Sequence, residues 1–140
     1  MPMDFSGKRL LLVEDNELNM EIAKDLIGMT GMVIDEAWNG EEAVEKMAAS
    51  KTGYYDLILC DIQMPIMDGY EATKRIRSMD RPDAKTVPII AMTANAFAED
   101  KVRALETGMN GHISKPIDLN ELFTTLDKVL YYEEVRNSNE

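Results

Sequence analysis

The sequence predicts a single α/β domain, a parallel sheet covered by helices on both faces. Five short apolar segments alternate with five longer amphipathic stretches, and capping residues open most of the latter. Residues 10–13 and 89–91 are almost uninterruptedly apolar, as strands must be when both of their faces are buried.

Residues 8–13 form the first expected strand. An Asp15-Asn16 cap follows, then a helix whose Leu18, Ile22, Leu26 and Met29 fall on one face. Residues 32–37 alternate in polarity and carry Asp35, the pattern of an edge strand. Asn39 with Glu42 three residues later opens the second helix, and Asp68 with Glu71 opens the third, both at capping-box spacing. Between those two lies the third strand, residues 57–60. Residues 87–92 give the fourth strand, where Pro88 is tolerated near the start because the missing donor falls at the end of the ladder. The fourth helix runs over about residues 98–107 and stops at Gly108, a residue suited to a left-handed cap. Residues 111–114 form the fifth strand. Asp118 with Glu121 caps the last helix, Ile117 and Leu122 staple it, and Leu119, Leu122, Phe123, Leu126 and Val129 form its apolar face. Right-handed crossovers connect such units. The domain is expected over residues 8–132, with tails at 1–7 and 133–140.

Bulk properties narrow the function. A net charge of −11 argues against a nucleic-acid grip, which needs a basic footprint. No apolar run approaches the ~20 residues of a membrane span, so this domain is expected to make no membrane contact. The one cysteine, Cys60, builds no disulfide framework and suits a reducing, cytoplasmic setting.

In an open parallel sheet, ligands bind beyond the carboxyl ends of the strands. The residues there are Glu14 and Asp15, then Trp38 and Asn39, then Asp61, Thr93 and Lys115. Three carboxylates gathered in one place repel: at ~4 Å and an effective dielectric of ~20, each pair costs roughly 4 kcal/mol. Lys115 offsets part of this and a divalent cation the rest. An all-oxygen donor set favours Mg²⁺ over zinc. Asp61 is the nucleophile candidate, because a carboxylate is ionised at neutral pH and needs no general base. Lys115 and the Thr93 hydroxyl suit the oxygens of a transferring phosphoryl group.

Four segments in order, Leu12-Val13-Glu14-Asp15-Asn16, the run from Asp61 through Met64-Pro65 to Asp68-Gly69, Met92-Thr93-Ala94 and Ser114-Lys115-Pro116, resemble the successive signatures of response-regulator receiver domains. The resemblance implies a flavodoxin-like, doubly wound sheet of order 2-1-3-4-5 with five helices. It also implies that Asp61 takes a phosphoryl group from a phosphohistidine on a histidine kinase or histidine phosphotransfer domain. By the same resemblance Asp15, Asp61 and the backbone carbonyl of Gln63 hold Mg²⁺, with Glu14 acting through water. Lys115, Thr93 and the Ala94 amide contact the phosphoryl group, Gly69 is structural, and the bond before Pro116 is cis.

Three residues before the lysine, receivers usually carry a tyrosine or phenylalanine that works with Thr93 as a switch; here the position is His112. The fourth helix, fifth strand and fifth helix are the implied output surface toward a partner the sequence does not identify. Asn16-Glu17-Leu18-Asn19, Thr93-Ala94-Asn95-Ala96-Phe97 and Gly108-Met109-Asn110-Gly111 resemble receivers attached to hybrid sensor histidine kinases, so the parent chain is expected to be such a kinase, membrane-anchored or not.

Rival readings are a phosphorylation-independent interaction module and an aspartate-nucleophile phosphohydrolase. The second expects another aspartate two residues after the nucleophile, where this chain has Gln63. A flavin-binding module of the same architecture lacks its phosphate-cradling loop after the first strand.

Overall fold

The structure, a computed structural model, describes residues 4–94 and 98–131. The chain runs β1 (Arg9–Val13), α1 (Glu17–Gly28), β2 (Val33–Ala37), α2 (Gly40–Ala49), β3 (Leu57–Asp61), α3 (Gly69–Arg77), β4 (Ile89–Thr93), α4 (Ala98–Thr107), β5 (Gly111–Ser114) and α5 (Leu119–Leu126). A 3₁₀ turn at Pro82–Ala84 precedes β4, and a π-helical turn at Asp127–Tyr131 extends α5. All strand pairs are parallel, in the order β2-β1-β3-β4-β5. Residues 1–3 and 132–140, with most of the expected tails, lie outside the described residues, as does the Asn95-Ala96-Phe97 motif.

Strand alternation divides the core into two layers. Leu11, Val13, Ile58, Cys60, Ile89 and Ala91 face one way, onto Ala43 and Met47 of α2, Tyr70 and Ile76 of α3 and Ala104 of α4. Leu10, Leu12, Leu57, Leu59, Ile90, Met92 and Ile113 face the other way, onto Met20, Ala23 and Ile27 of α1 and Leu122 and Leu126 of α5. Each fully buried aliphatic side chain contributes about 1.5–3 kcal/mol, so the central strands fix the sheet. β2 lies at the edge, as its alternation predicts, and only its last residue, Ala37, is buried.

The caps fall where the sequence places them. Asn16, Asn39, Asp68 and Asp118 accept from the backbone N–H groups of Asn19, Glu42, Glu71 and Asn120. At α5 the capping-box glutamate does something else: Glu121 accepts from the Ser114 amide and ties the helix to the end of β5.

Three expectations are corrected. Asp61 and Thr93 are the last residues of β3 and β4, so their side chains are fixed by the sheet and not by a loop. β4 starts at Ile89, because the Pro88 carbonyl serves the ladder through the Ile58 amide while Pro88 has no donor to offer in return. The expected inner face of α1 is mostly its outer one: Leu18, Ile22 and Met29 are exposed, while Met20, Ala23 and Ile27 are buried. The helix carries two apolar stripes, and the smaller one fits against the sheet.

A half-buried arginine closes the far end of α3. Arg77 donates to the carbonyls of Ala84, Val87 and Gly108 and to the Asn110 side chain, at 2.7–3.1 Å. Asn110 Oδ1 also accepts from the Ile89 amide. Burial pulls the guanidinium pKa down, and among the described residues no carboxylate pairs with it.

Candidate functional site

The carboxyl ends of β1, β3, β4 and β5 open into one cavity of about 740 Å³, lined among others by Glu14, Asp15, Asp61, Gln63, Thr93, Ala94 and Lys115. β2 contributes nothing to it, because it lies beyond β1 at the sheet edge. The register brings these residues together: Asp61 is paired with Met92, next to Thr93, and Thr93 is paired with Ser114, next to Lys115. The Lys115 amide donates to the Thr93 carbonyl at 2.9 Å, and the peptide bond from Lys115 to Pro116 is cis.

Glu14 and Asp61 are buried and Asp15 is exposed. Carboxylate oxygens of all three lie within 4.8 Å of one another. Lys115 Nζ sits 2.9 Å from Asp61 Oδ2 and 3.0 Å from Glu14 Oε2. One ammonium therefore serves two carboxylates, with a third beside them.

The electrostatics record the imbalance. Burial pushes the Asp61 carboxyl up to about 6; the Lys115 hydrogen bond opposes this, and the charges of Glu14 and Asp15 add to it. Burial alone would lower the Lys115 pKa, but its hydrogen bonds to Asp61 and Glu14 outweigh that and raise it. A cluster of hard oxygen donors with surplus negative charge fits a divalent cation such as Mg²⁺.

Two glycines hold the loop after β3 in place. A Cβ on Gly69 would lie 2.5 Å from the carbonyl oxygen of Asp61, and one on Gly40 would lie 2.5 Å from that of Met67. The amides of these glycines donate to the carbonyls of Ile62 and Met67. The loop is thus pressed between the starts of α2 and α3.

Within it, Ile66 takes φ 73° with its side chain 75% exposed. A β-branched residue in the left-handed region is strained by about 1–2 kcal/mol, with no burial to compensate. Asparagine tolerates that region, so Ile66→Asn is expected to stabilise the fold by about 1 kcal/mol and raise the melting temperature by about 3 °C. Thermal denaturation followed by circular dichroism tests this; an unchanged or lower midpoint contradicts it.

The remaining sequence candidates find their places. His112 is half-buried on β5 and alternates with Ile113, so it shares the sheet face that α4 covers. Cys60 is buried, and burial pushes its thiol pKa upward, which suits a core residue and not a reactive one. Trp38 packs against the α1 and α5 side of the core. Sequence reasoning missed Tyr70, Asp100 and Arg103, which also line the cavity. Tyr70 was open to discovery as the neighbour of Gly69; the other two depend on how α4 packs.

The family model for the response regulator receiver domain matches residues 10–127. Hybrid signal transduction histidine kinase B of Dictyostelium discoideum is 42% identical over 130 residues, which span 86% of this chain and 6% of that kinase. Sensor histidine kinase RcsC of Escherichia coli is 38% identical over 137 residues, 98% of this chain and 14% of that kinase. The chain thus spans a small part of the relatives it matches. Among solved structures, the receiver domain of sensor histidine kinase PA1611 of Pseudomonas aeruginosa has a magnesium ion coordinated in its active-site cleft. It aligns with a TM-score of 0.79 at 35% identity, covering 89% of this chain and 98% of that one. The receiver domain of Ssk1 of Saccharomyces cerevisiae, crystallised with the histidine phosphotransfer protein Ypd1, is among the matches at a TM-score of 0.79 and 29% identity, covering 92% of each chain.

Proposed function

Since this chain belongs to the response regulator receiver domain family, we propose that Asp61 accepts a phosphoryl group from a phosphohistidine and that the domain changes partners as a result. The observation that carries this is the Asp61 carboxylate, buried at the end of β3 and bonded to Lys115 beside Glu14 and Asp15.

One Asp61 carboxylate oxygen forms a bond to phosphorus as the phosphorus–nitrogen bond of the donor breaks. The imidazole nitrogen leaves with that bond's electron pair. Lys115, already 2.9 Å from Asp61, donates to a phosphoryl oxygen, and the Thr93 hydroxyl and Ala94 amide donate to others. Asp15, Asp61 and the Gln63 carbonyl would hold Mg²⁺, with Glu14 acting through water. Bound there, the ion supplies neutralisation of the charge that builds on the phosphoryl oxygens.

Thr93 and His112 carry the signal outward, toward the face of α4, β5 and α5. Gly69 and the peptide bond before Pro116 keep the site in shape. The donor is a histidine kinase or a histidine phosphotransfer domain, and the domain assists its own phosphorylation and dephosphorylation without turning over a separate substrate. Its relatives support a place within a hybrid kinase, and the same reading puts the domain in the cytoplasm. Among the described residues no helix is long and apolar enough to cross a membrane. The domain proper extends over 8–132.

Incubation with acetyl phosphate and Mg²⁺ tests the reading by intact mass. Gain of one phosphoryl mass with Mg²⁺, and none after chelation, is expected. No gain with either acetyl phosphate or a phosphohistidine protein would leave a phosphorylation-independent interaction module.

A further inference from the structure

The cavity wall that α3 and α4 supply carries a second cation. Five acidic residues line the cavity (Glu14, Asp15, Asp61, Asp68 and Asp100) against two basic ones, Lys115 and Arg103. Lys115 is committed to Glu14 and Asp61. Arg103 is exposed, and its guanidinium lies over the Tyr70 ring, 4.1 Å from the centroid. Among the described residues it makes no ion pair.

The ring beneath it is a fixed platform. Tyr70 is 5% exposed, and its hydroxyl donates to the Asp100 carbonyl across to α4 at 3.5 Å. It follows Gly69, which is pressed against the Asp61 backbone. A stacked guanidinium keeps its charge and its in-plane N–H donors, since only its face is used by the ring.

A phosphoryl donor is an anion approaching a cavity rich in carboxylates. Cations at the mouth of such a cleft raise the local concentration of anions and speed their capture.

We propose that Arg103, held on the Tyr70 ring, is a positioning residue for the phosphoryl donor: it draws the anionic phosphoryl group to the cavity mouth before transfer to Asp61. This rests on the phosphoacceptor reading above. In the test reaction an Asp61 oxygen bonds to phosphorus while the phosphorus–oxygen bond to acetate breaks, and acetate leaves with the electron pair. Arg103 does not touch the bonds that change. Its contribution is therefore to capture, and it scales with donor charge.

The experiment measures phosphorylation rates at saturating Mg²⁺ and low ionic strength for wild type, Arg103→Gln, Arg103→Lys and Tyr70→Leu. The donors are acetyl phosphate, a dianion at neutral pH, and phosphoramidate, which carries one negative charge less. Arg103→Gln is expected to slow acetyl phosphate about fivefold and phosphoramidate by less, with the difference vanishing as salt is raised. Arg103→Lys restores most of the rate. Tyr70→Leu, which keeps bulk in the core but removes the platform, falls between them.

Equal slowing with both donors, insensitive to salt, would mean that Arg103 only braces α4 and would overturn the proposal. So would wild-type rates in Arg103→Gln. Wild-type phosphorylation is the internal control: its absence removes the phosphoacceptor reading itself, whereas unchanged rates in Arg103→Gln remove only the role of Arg103. A phosphohistidine protein as third donor separates capture of the phosphoryl group from capture of small acyl phosphates. Slowing by Arg103→Gln there extends the proposal to the protein donor, and no slowing overturns it for that donor.

Discussion

Asp61→Asn is expected to lose phosphoryl acceptance entirely and yet, at pH 7 without a divalent cation, to melt at a higher temperature than the wild type. Asparagine is isosteric with aspartate, but its amide is not a nucleophile toward phosphorus. The gain in stability follows from the Asp61 carboxyl being pushed up to about 6 from 3.8, mainly by burial. A folded-state pKa raised above the unfolded value means that the folded chain holds the proton more tightly. The penalty for ionising Asp61 is therefore absent below about pH 4, grows between 3.8 and 6, and is complete above that window. Two pKa units correspond to at most ~3 kcal/mol, and screening by water at the cavity mouth reduces this to about 1–2 kcal/mol.

Wild type and Asp61→Asn should accordingly converge at pH 4 and separate at pH 7. Millimolar Mg²⁺ should then narrow or reverse the gap, because a cation bound only by the folded wild type stabilises it by mass action. Thermal melts at the two pH values, with and without Mg²⁺, test each step. A variant less stable than the wild type at pH 7 in chelator would show that the Lys115 bond outweighs the crowding of carboxylates.

Gly69→Ala is expected to damage fold and function together. The added methyl would meet three backbone atoms: the Asp61 carbonyl oxygen at 2.5 Å, the Ile62 Cα at 3.0 Å and the Asp61 carbonyl carbon at 3.2 Å. No flexible side chain is available to yield, so either α3 withdraws or the end of β3 twists. Overpacking of this kind costs about 1–3 kcal/mol, and displacement against backbone falls near the upper end. A shift of Asp61 by about 1 Å relative to Lys115 is enough to slow phosphoryl transfer on the order of 100-fold. Urea denaturation and the acetyl phosphate rate measure the two effects. Normal values of both would mean that the contact between α3 and Asp61 is softer than its geometry implies.

What the sequence made legible divides along physical lines. Local chemistry was readable: Asn16, Asn39, Asp68 and Asp118 all cap the helices that their spacing announces. The apolar runs marked the strands, and the polar residues at their carboxyl ends converge because parallel strands all deliver those ends to one side. The alternation around Asp35 correctly put its strand at an edge.

Quantities that depend on what lies opposite were not readable. Leu18, Ile22 and Met29 make a better apolar stripe than Met20, Ala23 and Ile27, yet the second stripe is buried. Periodicity finds a face without saying which neighbour will cover it. Lys115, by contrast, meets Asp61 across 54 residues of chain, as its place at a neighbouring strand end implied. Tyr70 and Arg103 stayed hidden because their meeting requires the start of α3 and the middle of α4 to share a wall.

The Arg77 contacts set how α4 is able to move. The guanidinium holds the Gly108 carbonyl, just past the last residue of α4, and at the same time grips the segments leading into β4. That end of the helix is pinned by several bonds, whereas its Arg103 region is held from α3 by one stacked ring and one long hydrogen bond. A helix of 10 residues is ~15 Å long, so a swing of about 10° around Gly108 carries its first residue ~2.6 Å and its last residue almost nowhere. α4 is built as a lever with its fulcrum at the base, and it borders the cavity through Asp100 and Arg103.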